Sequence, residues 1–504
     1  MPNHLFDALF ARHQGRSEPF LLLPGGGAIG YAEFLAETSR YAHALTDLGL
    51  SPGDRLAVQL EKSPHMLAVY VACLRAGVIF LPLNTAYTPH EASYFLENSG
   101  ARLMLCDGAR QADLKPISAR LGARLMALNA DGTGDFADHA RDRSDGFENV
   151  GRGPDDLAAF LYTSGTTGRS KGAMLSHENL LSNAQALTEL WQFTAEDVLL
   201  HALPIFHTHG LFVATHIALL AGAPMIFLPK FDADEVIDWM PRATSMMGVP
   251  TFYTRLLANP RFDRNAAAHM RLFVSGSAPL LEETHLAFEA RTGHRILERY
   301  GMTETNMNTS NPVAGERRAG TVGLPLPGVE LRIMDPETGQ EVAPGEIGVI
   351  EVRGPNVFSG YWQMPEKTRE ELREDGFFIT GDLGRMAADG YVTIVGRAKD
   401  LIITGGFNVY PKEVEQCLDA LPGVAESAVI GVPHPDFGEG VVAIVVLTRD
   451  ATLDPATLMS TAAAQLAAFK RPKRVMVRES LPRNSMGKVQ KAALRERYAD
   501  LFDA

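Results

Sequence analysis

Apolar and polar residues alternate along most of the chain in a way that predicts both strands and helices. The short apolar run at 55–61 is followed by an amphipathic stretch at 64–77, and the run at 102–106 leads into a polar helical pattern. Another run at 158–165 passes through a loop into a helical pattern near 177–190. Strands that alternate with helices in this way predict an α/β fold with a mainly parallel sheet.

The pattern changes in the last third of the chain. Residues 339–354 predict a strand, a Pro-Gly turn and a second strand, so this part is β-rich. After Lys399 the remaining residues carry strands and helices of their own. The sequence therefore predicts a large N-terminal domain over 1–396, made of layered α/β subdomains with a β-rich part. A small α+β C-terminal domain is predicted over 397–504.

The chain is acidic overall, with a formal net charge of −13. This charge argues against a general nucleic-acid binder, and an anionic small molecule would need positive charge concentrated at its own site. The cysteines lie far apart, with no CxxC pair and no histidine cluster, which argues against a disulfide framework or a zinc site and indicates a reducing cytoplasm: they are Cys73, Cys106 and Cys417.

Two apolar stretches could be mistaken for targeting or membrane segments. The N-terminal one contains Asp7 and Arg12, unlike the apolar core of a signal peptide. The longest one, 212–229, is interrupted by His216 and Pro224 and fits buried strand and helix better than a membrane span. We therefore expect a cytoplasmic protein that has no membrane partner.

The segment 162–172 has the strongest chemical pattern in the sequence. It combines glycines and Ser and Thr hydroxyls with the cations Arg169 and Lys171. Glycines let backbone N–H groups approach an anion closely, and hydroxyls add further donors. No GK[ST] tripeptide follows, so the segment is not a Walker A loop. It predicts a phosphate-binding loop, with an ordinary flexible surface loop as the alternative.

Six further motifs follow this loop in order: FHTHG at 206–210, GSAP at 276–279, YGMTE at 300–304, TGD at 380–382, GRAKD at 396–400 and PRNSMGK at 482–488. With these motifs the chain resembles the adenylate-forming superfamily of acyl-CoA synthetases, nonribosomal adenylation domains and luciferases. The resemblance covers almost the whole chain. It implies an acid:CoA ligase that uses ATP and Mg²⁺ to activate a small carboxylic acid as an acyl-adenylate, and then transfers the acyl group to coenzyme A.

The resemblance also implies which residues bind ATP or AMP. The phosphate loop contributes Thr163, Ser164, Gly165, Thr166, Thr167, Gly168 and Lys171. The adenine and adenylate contacts are implied for Ser277, Ala278, Pro279, Glu298, Arg299, Tyr300, Gly301 and Met302. Ribose contacts are implied for Asp382 and Arg397. Thr303 and Glu304 are implied catalytic residues, and Mg²⁺ is implied to bind Glu304 and Thr166.

The C-terminal motif supplies the predicted catalytic cation. Attack of a carboxylate on the α-phosphate builds up negative charge, so catalysis is mostly positioning and charge stabilisation. Lys488 is a point cation on a flexible stem beside Gly487, which suits that task; the alternative is an ordinary solvated lysine. Acetylation would remove the charge of Lys488, so a lysine acetyltransferase and a deacetylase are candidate partners.

The resemblance further implies that the small domain is mobile. Lys399 would be the hinge about which the small domain rotates after adenylation. Gly405, Gly406 and Phe407 would then help to guide the CoA thiol. Hinges are a few residues at element ends that absorb large backbone changes, and the glycines near this segment suit that role.

Two arginines suggest which acid is activated. Arg299 directly precedes Tyr300, and Arg255 follows an apolar helix start; both lie where the family builds its acyl pocket. A buried charge without a partner costs about 3–5 kcal/mol, whereas a second substrate carboxylate would bind these cations with charge-assisted hydrogen bonds of about 1.5–3 kcal/mol each. We therefore expect a short dicarboxylic acid, with His207 and Ser277 as further substrate contacts.

Several alternatives stay open at this point. The arginines could pair with protein acids such as Glu298. His207 and His209 have an i, i+2 spacing without a carboxylate cluster, which indicates packing or pocket lining rather than a metal site. The pattern resembles malonyl-CoA synthetases, and one methyl group separates malonate from methylmalonate. The rival functions are a ligase for an aromatic or medium-chain monocarboxylic acid, a stand-alone enzyme that loads a carrier protein, and a non-catalytic nucleotide-binding protein.

Overall fold

The computed structural model describes residues 2–163, 170–405, 407–449, 451–484 and 487–502. These residues form two compact units. The first unit consists of Met1–Ala319, Gly323–Glu330 and Val352–Phe378, and the second of Gly320–Val322, Leu331–Glu351 and Ile379–Ala504. The predicted domain boundary between 396 and 397, with its hinge at Lys399, stays a prediction.

The described residues contain helices α1 (His4–Phe10), α2 (Tyr31–Asp47), α3 (Pro64–Ala76), α4 (Pro89–Ser99), α5 (Gln111–Leu121), α6 (Asp135–Ala140), α7 (His177–Leu190), α8 (His216–Ala221), α9 (Ala233–Trp239), α10 (Pro250–Ala258), α11 (Glu282–Thr292), α12 (Pro365–Glu371), α13 (Pro411–Asp419), α14 (Pro455–Gln465) and α15 (Lys491–Arg497). A π-helix spans His209–Thr215. Among these residues no helix combines the length and apolarity needed to cross a membrane.

The strands of the described residues are β1 (Pro19–Leu22), β2 (Ala28–Gly30), β3 (Arg55–Gln59), β4 (Ile79–Pro82), β5 (Leu103–Cys106), β6 (Arg124–Ala127), β7 (Leu157–Thr163), β8 (Lys171–Ser176), β9 (Leu199–His201), β10 (Met225–Phe227), β11 (Ser245–Gly248), β12 (Leu272–Ser275), β13 (Leu297–Met302), β14 (Asn306–Ser310), β15 (Leu324–Pro325), β16 (Glu330–Met334), β17 (Gly348–Arg353), β18 (Phe378–Met386), β19 (Val392–Arg397), β20 (Ile402–Thr404), β21 (Phe407–Val409), β22 (Val424–His434), β23 (Gly438–Leu447) and β24 (Arg474–Arg478).

Two sheets with parallel centres lie in the first unit. One has the strand order β6-β5-β3-β4-β7-β8, and the other has the order β15-β14-β13-β12-β11-β9-β10-β1-β2. In each sheet the central pairs are parallel and the edge strands β8, β2, β14 and β15 pair antiparallel. The predicted α/β fold with mainly parallel sheets is therefore confirmed for this unit.

Helix start and stop residues explain how the parallel strands are connected. Ser63 caps α3 by accepting a hydrogen bond from the backbone N–H of Met66, with Pro64 at the first helical position. Gly77 ends the same helix in the left-handed conformation, with φ 69°. Because the chain then enters β4 directly, β3, α3 and β4 form a βαβ unit whose two strands pair side by side.

The second unit contains a sheet that is buried on both faces. Its order is β21-β20-β23-β22, with β24 parallel to β23. Along β23, Val441, Ala443 and Val445 belong to one apolar cluster, whereas Val442 and Ile444 belong to the cluster on the other face. This double burial explains why the strand is a continuous apolar run rather than an alternating one. A further sheet has the order β16-β17-β18-β19.

An aromatic core packs helices α10 and α11 against strand β12. Phe288 on α11 contacts Tyr253, Phe262 and Phe273, with ring centroids 5.0–5.4 Å apart. Tyr253 on α10 donates its hydroxyl to the backbone oxygen of Val274, 2.5 Å away, and so ties the helix to β12. This core therefore ties α10 and α11 to β12, the strand that leads to Ser277.

We predict that Phe288→Ala lowers the stability of the first unit by about 3–5 kcal/mol, because it removes a large side chain from a closely packed core. Leu286 is the matched control: it lies on the same helix but is 52% exposed, and Leu286→Ala should change stability by no more than about 0.5 kcal/mol. Thermal denaturation of the two variants beside the parent measures the difference. Equal shifts would show that this core does not carry the predicted stability.

Candidate active site

The predicted phosphate loop is described only at its two ends. Ser164, Gly165, Thr166, Thr167 and Gly168 lie outside the described residues, so their predicted roles stay predictions. Thr163 ends β7 and Lys171 begins β8, and the two residues face each other in the antiparallel register. The hairpin β7–β8 therefore brings Thr163 and Lys171 to the two sides of the loop.

Lys171 is buried and already forms an ion pair within the protein. Its Nζ lies 3.0 Å from Oε2 and 3.1 Å from Oε1 of Glu371, and 4.0 Å from the ring centroid of Tyr361. Nζ of Lys367 also lies 2.9 Å from Oε1 of Glu371. Burial alone would raise the pKa of Glu371, but hydrogen bonds from Tyr361, Lys367 and Lys171 outweigh it and hold this pKa below its ordinary value.

Tyr361 connects this ion pair to Glu304. Its hydroxyl oxygen lies 2.6 Å from Oε2 of Glu371 and 3.0 Å from Oε1 of Glu304. The hydroxyl of Thr163 lies 3.4 Å from the same Oε1 of Glu304. A continuous set of contacts thus runs from Lys171 through Glu371 and Tyr361 to Glu304, within one unit of the protein.

The chemistry of Glu304 fits the predicted cation. The residue is buried, 5% exposed, and among the described residues both side-chain hydrogen bonds to it end at Oε1. Binding of Mg²⁺ by Glu304 stays a prediction. In the part of the chain that the structure describes, no group of three or more His, Cys, Asp or Glu side chains surrounds a metal position. One carboxylate combined with substrate phosphates is the usual way in which proteins bind Mg²⁺.

The adenylate motif lies on a tight hairpin between β13 and β14. Gly301 pairs with Met307, and a Cβ on Gly301 would lie 1.8 Å from the backbone oxygen of Asn306. Only glycine permits this close approach. The turn leaves Tyr300, Met302 and Thr303 half-buried, which is compatible with their predicted contacts to a nucleotide.

Arg299 on β13 is buried, with 3% of its surface exposed. Among the described residues, no hydrogen-bond partner is found for its buried Nε and Nη2 atoms. A Cβ on Gly276 would lie 2.3 Å from Cζ of Arg299, so the guanidinium rests directly against the backbone that follows β12. Burial lowers the pKa of Arg299 to about 9, which reflects the cost of holding this charge away from water.

A neutral histidine and a strained serine adjoin this arginine. Oγ of Ser277 lies 3.2 Å from Nδ1 of His209. Burial first, and then the charge of Arg299, lowers the pKa of His209 well below its ordinary value. Ser277 has a left-handed backbone conformation with φ 69°, a strain that is often found at functional sites. These groups offer hydrogen bonds beside a cation and no negative charge of their own.

The other predicted residues near this cluster differ in exposure. His207 is half-buried, and its Nδ1 lies 3.4 Å from the backbone nitrogen of His209. Ala278 is half-buried and Pro279 is exposed, whereas Glu298 is buried and accepts from the backbone N–H of Leu280 at 3.3 Å. The structure thus gathers the motif residues at the carboxyl ends of parallel strands, where open α/β sheets bind ligands.

Arg255 does not share the burial of Arg299. Helix α10 buries Tyr253 and Leu256, and the next face of the helix leaves Arg255 exposed. The apolar neighbours of Arg255 in the sequence indicated a pocket wall, but the phase of the helix turns its side chain toward solvent. Its role as a substrate contact stays a prediction.

The predicted ribose residues face each other in the second unit. Asp382 and Arg397 are partners in the register of β18 and β19, and Nε of Arg397 lies 2.7 Å from Oδ1 of Asp382. The hydroxyl of Thr380 accepts from the backbone N–H of Asp382 at 3.0 Å. Lys399 follows β19 in a short 3₁₀ turn, and burial lowers its pKa.

The predicted catalytic lysine lies on a turn of the second unit. The side-chain oxygen of Asn484 accepts from the backbone N–H of Lys488, and the backbone N–H of Asn484 donates to the oxygen of Lys488, both at 2.9 Å. Gly487 has φ 75°, which the turn requires, and Lys488 is exposed. Asn484 therefore holds the backbone of Lys488, while the Lys488 side chain is exposed.

The predicted CoA residues are described in part. Gly405 ends β20 in a left-handed conformation with φ 57°. Phe407 is 56% exposed, and its ring stacks on that of Phe469 with centroids 4.8 Å apart. Gly406 lies outside the described residues. An exposed aromatic ring beside a glycine turn is compatible with the predicted contact to the CoA thiol arm.

Sequence patterns did not single out three residues of the site. Tyr361 and Glu371 lie outside every predicted motif. Tyr361 nevertheless contacts Glu304 of the YGMTE motif, and Glu371 contacts Lys171 of the phosphate loop. Lys62 is buried and donates from Nζ to Nδ1 of His201 at 2.9 Å, and Nε2 of that histidine donates to the oxygen of Gly210 at 2.9 Å. Lys62 lies between Glu61 and Ser63, at the polar junction of the two runs 55–61 and 64–77, so no local pattern marked its contact with His201.

Comparisons with known proteins agree with this geometry. The chain matches the model of AMP-binding enzymes over residues 10–362 and the model of their C-terminal domain over residues 413–488. A malonate–CoA ligase of Arabidopsis thaliana is 37% identical over 495 residues, which cover 91% of this chain and 80% of the plant protein.

Solved structures are similar over the whole chain. The ATP-bound MatB from Rhodopseudomonas palustris is 56% identical, with 100% of both chains covered and a TM-score of 0.98. The anthranilate–CoA ligase AuaEII in complex with anthranoyl-AMP is 26% identical, with a TM-score of 0.91 and with 99% of this chain and 98% of that chain covered.

The family match and the geometry point to the same chemistry. The matched N-terminal model contains the hairpin β7–β8, the buried Arg299 and the Glu304 carboxylate. The C-terminal model ends at the turn that carries Lys488. The family prediction made from the ordered motifs is therefore confirmed: the chain belongs to the family of AMP-binding enzymes.

Proposed function

We propose that this enzyme is an ATP-dependent malonate–CoA ligase that works through a malonyl-adenylate. In the first half-reaction a carboxylate oxygen of the acid attacks the α-phosphorus of ATP, a P–O bond forms, and pyrophosphate leaves. In the second, the CoA sulfur attacks the acyl carbonyl, a thioester bond forms, AMP leaves, and the thiol proton is released. ATP and CoA are substrates of the reaction.

The buried guanidinium of Arg299 is the observation that carries the proposed substrate. A buried charge needs a partner, and the described protein residues supply none to its Nε and Nη2 atoms. A monocarboxylic acid uses its only carboxylate for the reaction, so its tail would leave the cation without an anion. Malonate has a second carboxylate, which can accept two parallel hydrogen bonds from a guanidinium.

The surroundings of Arg299 fit a short acid. Ser277 and the neutral His209 add hydrogen-bonding groups without adding negative charge that would repel a dianion. Methylmalonate differs from malonate by one methyl group, which changes transition-state binding by only about 1–3 kcal/mol. We therefore propose malonate as the main substrate and methylmalonate as a second one.

The remaining residues of the proposal act on the nucleotide. Glu304 and Thr166 would hold Mg²⁺, which neutralises phosphate charge when it is bound. Thr163 and Lys171 border the phosphate loop, and Tyr300 and Asp382 contact adenine and ribose. Lys488 supplies an ammonium group to the first half-reaction, Lys399 is the hinge for the second, and the segment that starts at Gly405 guides CoA.

Replacement of Arg299 tests the proposed substrate. We expect Arg299→Met to lower kcat/KM for malonate by at least about 100-fold, because the second carboxylate loses its cation, with little change in the KM for ATP. Pyrophosphate release is measured with malonate, methylmalonate, a medium-chain acid and an aromatic acid. Unchanged malonate kinetics, or a parent enzyme that prefers a monocarboxylic acid, would contradict the proposal.

Arg255→Met is the matched control for this experiment. The side chain is exposed, so a contribution to malonate binding would be screened by water, and we expect a loss of less than about fivefold. The same acids and the same pyrophosphate assay apply. A larger loss than that of Arg299→Met would transfer the main substrate role to Arg255.

Separate assays of the two half-reactions test Lys488. Lys488→Ala should lower malonyl-adenylate formation by about 10²–10³-fold, because it removes the cation that meets the developing charge. Thioester formation from supplied acyl-adenylate and CoA should stay within a few-fold of the parent. Lys115→Ala, an exposed lysine on α5, is the control and should affect neither step. Equal losses in both half-reactions would refute the assignment.

Regulation by acetylation follows from the exposure of Lys488. The side chain is exposed on its turn, so a lysine acetyltransferase of the cytoplasm, where we place this enzyme, can reach it. Acetylation removes the charge. Protein with acetyl-lysine installed at position 488 should lose adenylation as Lys488→Ala does, and a deacetylase should restore it. A fully active acetylated protein would exclude this form of regulation.

A further inference from the structure

One short segment holds both the backbone and the side chain of Glu304. The backbone N–H of Phe358 donates to the backbone oxygen of Glu304 at 2.8 Å. Three residues later, the hydroxyl of Tyr361 lies 3.0 Å from Oε1 of the same glutamate. The rings of Phe358 and Tyr361 contact each other with centroids 4.7 Å apart. This ring contact helps to keep the backbone contact and the side-chain contact to Glu304 in a constant arrangement.

The same segment is fixed to the strand that closes the phosphate loop. The backbone N–H of Trp362 donates to the oxygen of Gly172 at 2.8 Å. On the same strand, Met174 donates to Gly360 at 3.0 Å and accepts from Ser359 at 3.0 Å. Residues 358–362 therefore connect β8 to Glu304, that is, one edge of the predicted phosphate loop to the predicted cation ligand.

The hydroxyl of Tyr361 has one proton and two carboxylate neighbours. Oε2 of Glu371 lies 3.0 Å from Nζ of Lys171, and Oε1 lies 2.9 Å from Nζ of Lys367. These two cations compensate the negative charge of Glu371 without the tyrosine. Among the described residues, Glu304 has one further hydroxyl neighbour, Thr163, at the longer distance of 3.4 Å. The hydroxyl lies closer to Glu371, at 2.6 Å, than to Glu304, at 3.0 Å. Its loss would still leave Glu371 with two cations, so we expect the larger effect at Glu304.

We propose that Tyr361 is a positioning residue for the divalent cation that accompanies ATP. Its hydroxyl contacts Oε1 of Glu304 and would hold this carboxylate in place, so that Oε2 would be the oxygen offered to the cation. Glu371, which is paired with Lys171, also contacts the tyrosine hydroxyl and helps to hold it in place. This inference rests on the ATP- and metal-binding part of the proposed function and does not depend on which acid is activated.

Tyr361→Phe tests this role, because it removes the hydroxyl and keeps the ring against Phe358 and Lys171. Mn²⁺ is titrated by electron paramagnetic resonance into protein with ATP and no acid, so that no turnover occurs. We expect about tenfold weaker Mn²⁺ binding than in the parent, since one charge-assisted hydrogen bond to Glu304 is lost. In turnover the KM for Mg²⁺ should rise by a similar factor, with kcat at saturating Mg²⁺ within about twofold.

Tyr41→Phe is the matched control. Tyr41 is buried and its hydroxyl lies 2.9 Å from Nδ1 of His65, away from every predicted site residue, so the loss of this hydroxyl should leave Mn²⁺ binding unchanged. Mn²⁺ binding by Tyr361→Phe equal to that of the parent would overturn the proposal, and so would a fall in kcat that saturating Mg²⁺ does not restore. The Mn²⁺ titration contains no acid, so a failure of malonate turnover would be visible separately.

Discussion

A positive charge held away from water, with no hydrogen-bond partner for its Nε and Nη2 atoms among the described residues, is the constraint on which this active site depends. The guanidinium of Arg299 is buried, and its neighbours Gly276 and His209 accommodate the buried charge. Gly276 has no side chain because the guanidinium occupies the space a Cβ would need. His209 is neutral because burial and this cation both oppose its protonation. Such a site gains most from a ligand that brings a second negative charge.

This arrangement explains how an acidic protein can bind anions. The chain carries a net charge of −13, yet two of the acidic side chains at or beside predicted nucleotide residues are paired with cations. Glu371 is paired with Lys171 and Lys367, and Asp382 is paired with Arg397. Pairing of these two carboxylates lowers their repulsion of an anionic ligand.

Positioning in this enzyme depends on segments outside the motifs. Residues 358–362 hold Glu304 by its backbone and its side chain and also pair with β8. The aromatic core around Phe288 ties α10 and α11 to β12, the strand that leads to Ser277. A carboxylate or guanidinium works at a defined position only when such supports limit its rotation.

The sequence by itself determined the α/β class, the order of the motifs and most of the candidate residues, because strand–helix alternation and glycine-rich turns are local properties of the chain. The tertiary structure alone decided which of these residues are buried and what they touch. It buried Arg299 against the backbone of Gly276, and it left Arg255 exposed through the phase of α10, although the apolar neighbours of Arg255 in the sequence predicted a pocket wall. It also joined Lys171 to Glu371 across 200 positions and Tyr361 to Glu304 across 57. Contacts over such separations depend on how whole elements pack, and no local pattern of residue types records that packing.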